Sequence, residues 1–458
     1  MKKIKENTIC SVSTKQGEGA IAVIRISGPK AKSICKKIFT SKHFQIKGDL
    51  KSNIVYYGKI KDGKKILDEV LLTYFQKPKS YTGEDVIEIS CHGSEYIQKT
   101  IIQLLIKNGC TLAKRGEFTL KAFLNGKIDL SQAESVANLI GAKNEKSHHL
   151  AMKQMRGGYS ENIKSLRDRL IKFGALIELE LDFSTEDVEF ANREELIELL
   201  SLMQKRIVPL INSFKYGNAI KNGIPITIVG PPNSGKSTLL NKILNEERAI
   251  VSDEKGTTRD VIEENFTIKG LQFRFIDTAG LRQTSNKIEK IGIKKTYEKI
   301  NEAAIIIYVV DINDFNENQI KKDIFLFLEK DVEIILIANK TDLTKKKIKI
   351  KEIDKKITYC SIINNDGIEN ILNSIFKKTK KWGNLNQEFI ITNQRHFEAL
   401  TNTLKSLNSV KSGIKSNISG ELLAVDIKEA LDYLGEITGE ITNDDLLDSI
   451  FRDFCIGK

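Results

Sequence analysis

The stretch Gly230-Pro231-Pro232-Asn233-Ser234-Gly235-Lys236-Ser237-Thr238 constrains this chain more than any other. It follows the apolar run Ile224 to Val229, which reads as a buried strand, and precedes Leu239 to Leu244, whose spacing fits the first turns of a helix. Strand, glycine loop and helix in that order form the setting of a phosphate-binding loop. Glycines let the backbone curl so that successive N–H groups point at phosphate oxygens, and the helix start adds its positive end. Lys236 can then reach the β and γ phosphates, and the Ser237 hydroxyl can ligate Mg²⁺.

Three further segments follow in order. Gly256-Thr257-Thr258-Arg259-Asp260 is a polar loop whose Thr258 can offer Mg²⁺ a second hydroxyl when a γ-phosphate is present, as a switch segment does. Asp277-Thr278-Ala279-Gly280 ends an apolar strand, so Asp277 can hold Mg²⁺ through water and the Gly280 N–H can sense the γ-phosphate. Asn339-Lys340-Thr341-Asp342 ends another strand. The Asp342 carboxylate can accept from N1–H and the 2-amino group of guanine, whereas adenine lacks the second donor, so the site selects GTP. Leu281 stands after Gly280, where Ras-like GTPases place a catalytic Gln, so water must be oriented from elsewhere. Glu289 is the downstream acidic candidate; taken alone it reads as a solvated helix-end carboxylate.

Around this block the chain changes character. At 458 residues it exceeds one core, and about 150 residues per domain points to about three domains. Residues 1–120 mix strands (Ile21 to Ile26, Glu69 to Tyr74) with a helix over Tyr96 to Lys107. Taken singly, Glu88 reads as a solvated edge residue and His92 as a hydrogen-bonded structural histidine. From Phe118 the pattern is helical, with stripes at Leu166, Leu170, Phe173 and Ile177 and again from Leu196 to Phe214. Residues 220–376 alternate strand and helix, implying a parallel sheet with ligands at the carboxyl ends of its strands. Helical stripes return at Leu423 to Ile437 and Asp445 to Phe454, so the α/β block reads as inserted into a discontinuous helical domain.

The net charge of +12 suits a polyanion such as RNA, and equally a lysine-rich surface that is simply solvated. The longest apolar run, Ala303 to Val310, falls far short of the ~18 residues of a membrane span. No apolar stretch follows the charged residues Met1 to Asn7, so a cytoplasmic protein with no membrane contact is expected. The cysteines (Cys10, Cys35, Cys91, Cys110, Cys360, Cys455) show no close pairing, which disfavours zinc or a disulfide framework.

Over nearly its whole length the chain resembles the tRNA-modification GTPase MnmE (TrmE) family. The resemblance is carried by Ile24-Arg25-Ile26-Ser27-Gly28, Ser80-Tyr81-Thr82-Gly83-Glu84-Asp85, Gly116-Glu117-Phe118-Thr119, Ala122 to Leu130, the four nucleotide segments and the terminal Phe454-Cys455-Ile456-Gly457-Lys458. It implies four segments: an N-terminal α/β folate-binding and dimerisation domain (1–120), a helical domain in two parts (121–217 and 378–458), and an inserted P-loop GTPase domain (218–377). Contacts to a tetrahydrofolate derivative resembling 5-formyltetrahydrofolate map onto Arg25, Glu88, Lys127 and Lys458. A carboxylate suits the paired donors of a pterin edge, and Arg and Lys suit its carbonyl and carboxylate groups.

The same resemblance puts Asn233, Ser252, Glu254 (through its carbonyl) and Thr257 around K⁺, makes Glu289 the water-orienting group, and gives Cys455 a part in the modification. The expected GTP site takes in Asn233, Ser234, Gly235, Lys236, Ser237 and Thr238; Ser252, Asp253, Glu254, Lys255, Gly256, Thr257 and Thr258; Asp277, Thr278, Ala279 and Gly280; and Asn339, Lys340 and Asp342. The implied activity is K⁺-stimulated GTP hydrolysis by a homodimer. With an MnmG-like FAD protein, in a heterotetramer, it would add an aminomethyl or carboxymethylaminomethyl group to C5 of a tRNA wobble uridine. The alternative is a regulatory GTPase that binds RNA in ribosome assembly. Arg115 before Gly116, and Ser361-Ile362 where Ser-Ala is usual, depart from the family pattern.

Overall fold

A computed structural model describes residues 7–15, 17–41, 49–182, 192–246, 264–276, 303–328, 332–344, 357–379, 389–452, 454, 455 and 457. The chain forms two compact units. One comprises Met1–Gly141, Ala151–Leu200 and Lys405–Lys458, the other Ala142–Leu150 and Ser201–Leu404.

The first unit is built on a seven-stranded sheet of β1 (Ile9–Val12), β2 (Ile21–Ser27), β3 (Phe39–Thr40), β4 (Val55–Asp62), β5 (Lys65–Phe75), β6 (Val86–His92) and β7 (Thr111–Leu112), in the order β3-β4-β5-β6-β2-β1-β7. Alternation along β2 decides its faces. Ala22, Ile24 and Ile26 are buried with Ile87 and Ile89 of β6 beneath α1 (Ala31–Ile38) and α2 (Glu95–Lys107). Ile21, Val23 and Arg25 lie on the other face, with Glu88, Ser90 and His92 opposite them in register.

Helices α3 (Glu117–Leu124), α4 (Leu130–Ile140), α5 (Glu145–Met155), α6 (Gly158–Asp182) and α7 (Arg193–Asn222) follow. Asp129 starts α4 with a capping box, accepting from Gln132 N at 2.8 Å while Gln132 Oε1 accepts from Asp129 N at 3.0 Å. Of the stripe expected at Leu166, Leu170, Phe173 and Ile177, all but the partly buried Phe173 are buried, and the one at Leu423, Ile427, Ala430, Leu434 and Ile437 is buried throughout. That second stripe belongs to α12, defined below, which packs on α6.

The second unit holds a six-stranded sheet of β8 (Ile224–Val229), β9 (Glu264–Ile268), β10 (Leu271–Phe275), β11 (Ile305–Asp311), β12 (Glu333–Asn339) and β13 (Thr358–Tyr359), in the order β13-β12-β11-β8-β10-β9. Five strands run parallel; β9 adds an antiparallel edge strand that sequence reading passed over. Only Phe266 and Ile268 of β9 point to the core, too short an alternation to register as a period. Helices α8 (Lys236–Glu246), α9 (Glu317–Leu328) and α10 (Ile368–Thr379) connect this unit, and α11 (Gln394–Lys415), α12 (Gly420–Thr438) and α13 (Asp444–Arg452) complete the chain. Ile305 to Val310 of β11 are buried throughout, as a central strand covered on both faces must be. Among the described residues no helix is long and apolar enough to cross a membrane.

Candidate functional site

Two of the nucleotide segments, Gly230 to Thr238 and Asn339 to Asp342, fall where the parallel strands β8 and β12 end. β8 delivers the chain to Gly230, and α8 begins at Lys236, so the loop between them presents its N–H groups at a helix start. Lys236 Nζ donates to the carbonyls of Gly230 at 2.9 Å and Pro231 at 2.6 Å, which folds the amine back over the loop. Ser237 and Thr238 occupy the first turn of α8. Asn233 is exposed at the loop's turn with φ +59°. Ser234 is buried, and its hydroxyl has no hydrogen-bond partner among the described residues.

Asn339, at the end of β12, ties three segments together. Its Nδ2 donates to Ser234 O at 2.9 Å, and its Oδ1 accepts from Ile362 N at 3.2 Å. The approach is so close that a Cβ on Gly235 would stand 2.3 Å from Asn339 Nδ2, which explains why that position carries no side chain. Asp342 accepts from Ser361 Oγ at 2.6 Å, so its carboxylate is oriented by a neighbour 19 residues on. Lys340 pairs with Asp311 at 2.7 Å. Burial raises the Asp311 carboxyl, but hydrogen bonds from Lys340 and Asn313 outweigh it and hold the group below the usual carboxylate range. Cys360 beneath is pushed up to about 12 by burial and by Asp366, so its thiol stays protonated.

Sequence reading named Asn339, Lys340 and Asp342 for the base and did not foresee the bond from Ser361 to Asp342. Ser252, Asp253, Glu254, Lys255, Gly256, Thr257, Thr258, Asp277, Thr278, Ala279, Gly280 and Glu289 lie outside the described residues.

On the open face of the first sheet, Arg25 and Glu88 stand directly opposite on β2 and β6. Arg25 Nε donates to Glu88 Oε1 at 2.9 Å, and Nη2 reaches the same oxygen at 2.8 Å. The guanidinium lies over two rings, 5.3 Å from the centre of Tyr81 and 5.7 Å from that of Phe118. Its remaining edge meets Gly457 O at 3.5 Å. Tyr81 is itself held by Thr119 of α3 at 2.9 Å, and burial raises its phenol above the ordinary value.

A buried network fixes the loop that carries Tyr81. Lys121 Nζ, on a side chain 3% exposed, reaches both oxygens of Glu84 (3.0 and 2.9 Å) and Asn7 O (2.9 Å). Ser27 Oγ donates to Glu84 Oε2 at 2.8 Å and accepts from Thr82 Oγ1 at 2.7 Å. Lys127 joins from the α3–α4 connection, donating to Pro78 O at 3.1 Å on the same loop. Arg25, Glu88 and the loop touched by Lys127 are thus brought together, while Lys458 lies outside the described residues. The stacking rings of Tyr81 and Phe118 were missed in sequence. An aromatic side chain inside an otherwise polar turn was the available signal for Tyr81.

His92, at the end of β6, donates its N–H to Asp68 Oδ2 at 2.9 Å and shares a 2.7 Å contact through Nδ1 with Asp68 Oδ1. That is the hydrogen-bonded structural histidine expected from its residue type. Five cysteines are buried and Cys455 is exposed.

Two family descriptions match the chain: GTP-binding protein TrmE N-terminus over residues 8–127, and MnmE helical domain over residues 130–455. The chain is 48% identical over 470 residues to the tRNA modification GTPase MnmE of Christiangramia forsetii, spanning 99% of each protein. It is 50% identical over 465 residues to the tRNA modification GTPase MnmE of Flavobacterium johnsoniae, spanning 99% of this chain and all of that one. The protein of that name from Bacteroides thetaiotaomicron is 45% identical over 471 residues.

Proposed function

Since the chain belongs to the MnmE (TrmE) family of tRNA modification GTPases, we propose that it hydrolyses GTP and acts in tRNA modification. The observation that carries the nucleotide half is the Ser361–Asp342 bond beside the Asn339 bridge. A carboxylate fixed in this way accepts two guanine donors without paying again for its own ordering. Lys236 neutralises the phosphates, and Glu289 orients the attacking water.

The donor set fits hard cations. Ser237 and Thr258 would hold Mg²⁺, and Asn233, Ser252, Glu254 and Thr257 would hold K⁺, all through oxygen. Bound there, the cations supply positive charge at the phosphates, in place of an arginine finger.

The substrate-side reading is finer. Arg25, Glu88, Lys127 and Lys458 bind a tetrahydrofolate derivative, which when bound supplies the one-carbon unit. The pairing of Arg25 with Glu88 over Tyr81 and Phe118 supports it, because it presents a charged, half-buried edge beside aromatic faces. Two copies pair through the open sheet face, on which Ile21, Val55, Tyr57 and Leu71 are exposed on β2, β4 and β5, in register with the face that carries Arg25 and Glu88. On this proposal the chain divides into residues 1–120, 121–217, 218–377 and 378–458, works in the cytoplasm, and as a homodimer forms a heterotetramer with an MnmG-like FAD partner. Cys455 takes part in the step that adds an aminomethyl or carboxymethylaminomethyl group to C5 of the wobble uridine.

Mass spectrometry of wobble nucleosides from a strain lacking this chain tests the proposal. The C5 substituent is expected to vanish and to return with the wild-type chain. Unchanged nucleosides would reject the modification role in favour of a regulatory GTPase of ribosome assembly.

A further inference from the structure

The end of the chain closes on its beginning through two glycines. Gly116, the residue before α3, has φ +67°, and its N–H donates to Cys455 O at 3.4 Å. A Cβ there would lie 2.8 Å from Phe451 O and 3.0 Å from Phe451 Cβ. Gly457 has φ +93°, and a Cβ on it would lie 2.3 Å from Val12 O, on β1. Both positions therefore refuse a side chain twice over, by left-handed backbone and by contact with another segment's main chain. Gly457 O accepts from Ser13 Oγ at 3.1 Å, across 444 residues of sequence, and from Arg25 at 3.5 Å. Between the two seats, Phe451 and Phe454 are each 3% exposed and pack with Leu130, Ala133 and Val136. Cys455, within this anchored stretch, is exposed.

We propose that Gly116 and Gly457 are positioning residues that seat the chain's end on α3 and β1 and thereby hold the Cys455 thiol beside the Arg25–Glu88 pair. Two residues of chain span at most about 7 Å, so with Gly457 at Arg25 the thiol cannot stray far from that pair. An alanine at either glycine forces the tail off its seat. The thiol then samples many positions, and a step that needs it in one place slows. The catalytic meaning of this arrangement rests on the carrier-site reading above; the seating itself does not.

The test uses the full-length chain. Because the other five cysteines are buried, a nitroxide thiol reagent labels Cys455 selectively. Its electron paramagnetic resonance spectrum is expected to show a slow, hindered component in wild type, lost in both Gly116→Ala and Gly457→Ala. Gly457 lies outside every helix and strand, so Gly457→Ala keeps the test sound should Gly116→Ala fold poorly. Identical spectra in all three proteins would overturn the seating. In reconstituted tRNA modification the unlabelled variants are expected to lose kcat with KM for GTP unchanged; equal kcat would overturn the positioning role. Titration of wild type with 5-formyltetrahydrofolate separates the two readings, because absence of binding rejects the carrier site while the spectra still decide the seating.

Discussion

The nucleotide site and the Arg25 site are assembled on opposite plans. The first draws on short contiguous segments at the carboxyl ends of the parallel strands β8 and β12, and many of its groups are backbone N–H and C=O. The second is made of side chains from β2, β6, a turn and α3, closed by a carbonyl 432 residues from Arg25. A site of the first kind tolerates much around it as long as its own segments are intact. A site of the second kind depends on whatever holds distant elements in place, and here that is the Lys121–Glu84 network.

The largest expected effect follows from that dependence. Lys121→Met leaves the partly buried Glu84 carboxylate without its cation, at a cost of up to about 3–5 kcal/mol to the first unit. Thermal unfolding followed by circular dichroism reads this loss. Pairing it with Glu84→Gln is expected to recover much of it. A single Lys121→Met variant as stable as wild type would break the contrast drawn here.

Next is Asp342→Asn. Removing a charged acceptor from guanine costs about 1.5–3 kcal/mol, which is roughly ten- to a hundred-fold in GTP affinity, with no change in the first unit's stability. The amide can instead donate to the 2-oxo group of xanthine, so competition between fluorescent GTP and XTP is expected to reverse in the variant. Retained preference for GTP would mean that the base is read elsewhere.

The smallest effect sharpens the picture of local assembly. Ser361→Ala keeps the Asp342 charge but frees its carboxylate, and loses about 0.5–1.5 kcal/mol of nucleotide binding. Fluorescence titration with GTP should register it as a several-fold weaker affinity. An unchanged affinity would show that Asp342 needs no support from Ser361.

The contrast also explains what could be read in advance. Asn339, Lys340 and Asp342 could be singled out because the contacts proposed for guanine lie within four consecutive residues, after a strand whose apolar run is unmistakable. The partners Ser361 and Asp311 reach the site by tertiary folding alone, and a serine or aspartate at a strand end carries no local mark of that. The buried helical stripes were legible for the same periodic reason, while β9 was not, because an edge strand with two core residues has no period to show. In the first unit, single residues gave little. Glu88 looked like an edge carboxylate until the register of β2 and β6 set Arg25 opposite it. The stacking of Arg25 on Tyr81 and Phe118, and the fit of Gly457 against Val12, depend on main-chain approach between segments far apart in sequence.

The central claim is that one chain carries two separate ligand sites, one local and one distributed. Equilibrium titration of the full-length protein with GTP and with 5-formyltetrahydrofolate, in wild type, Arg25→Ala and Asp342→Asn, tests it most directly. The account predicts that Arg25→Ala loses folate binding and keeps GTP, and that Asp342→Asn does the reverse. Folate binding that survives Arg25→Ala, or falls equally in both variants, would contradict it.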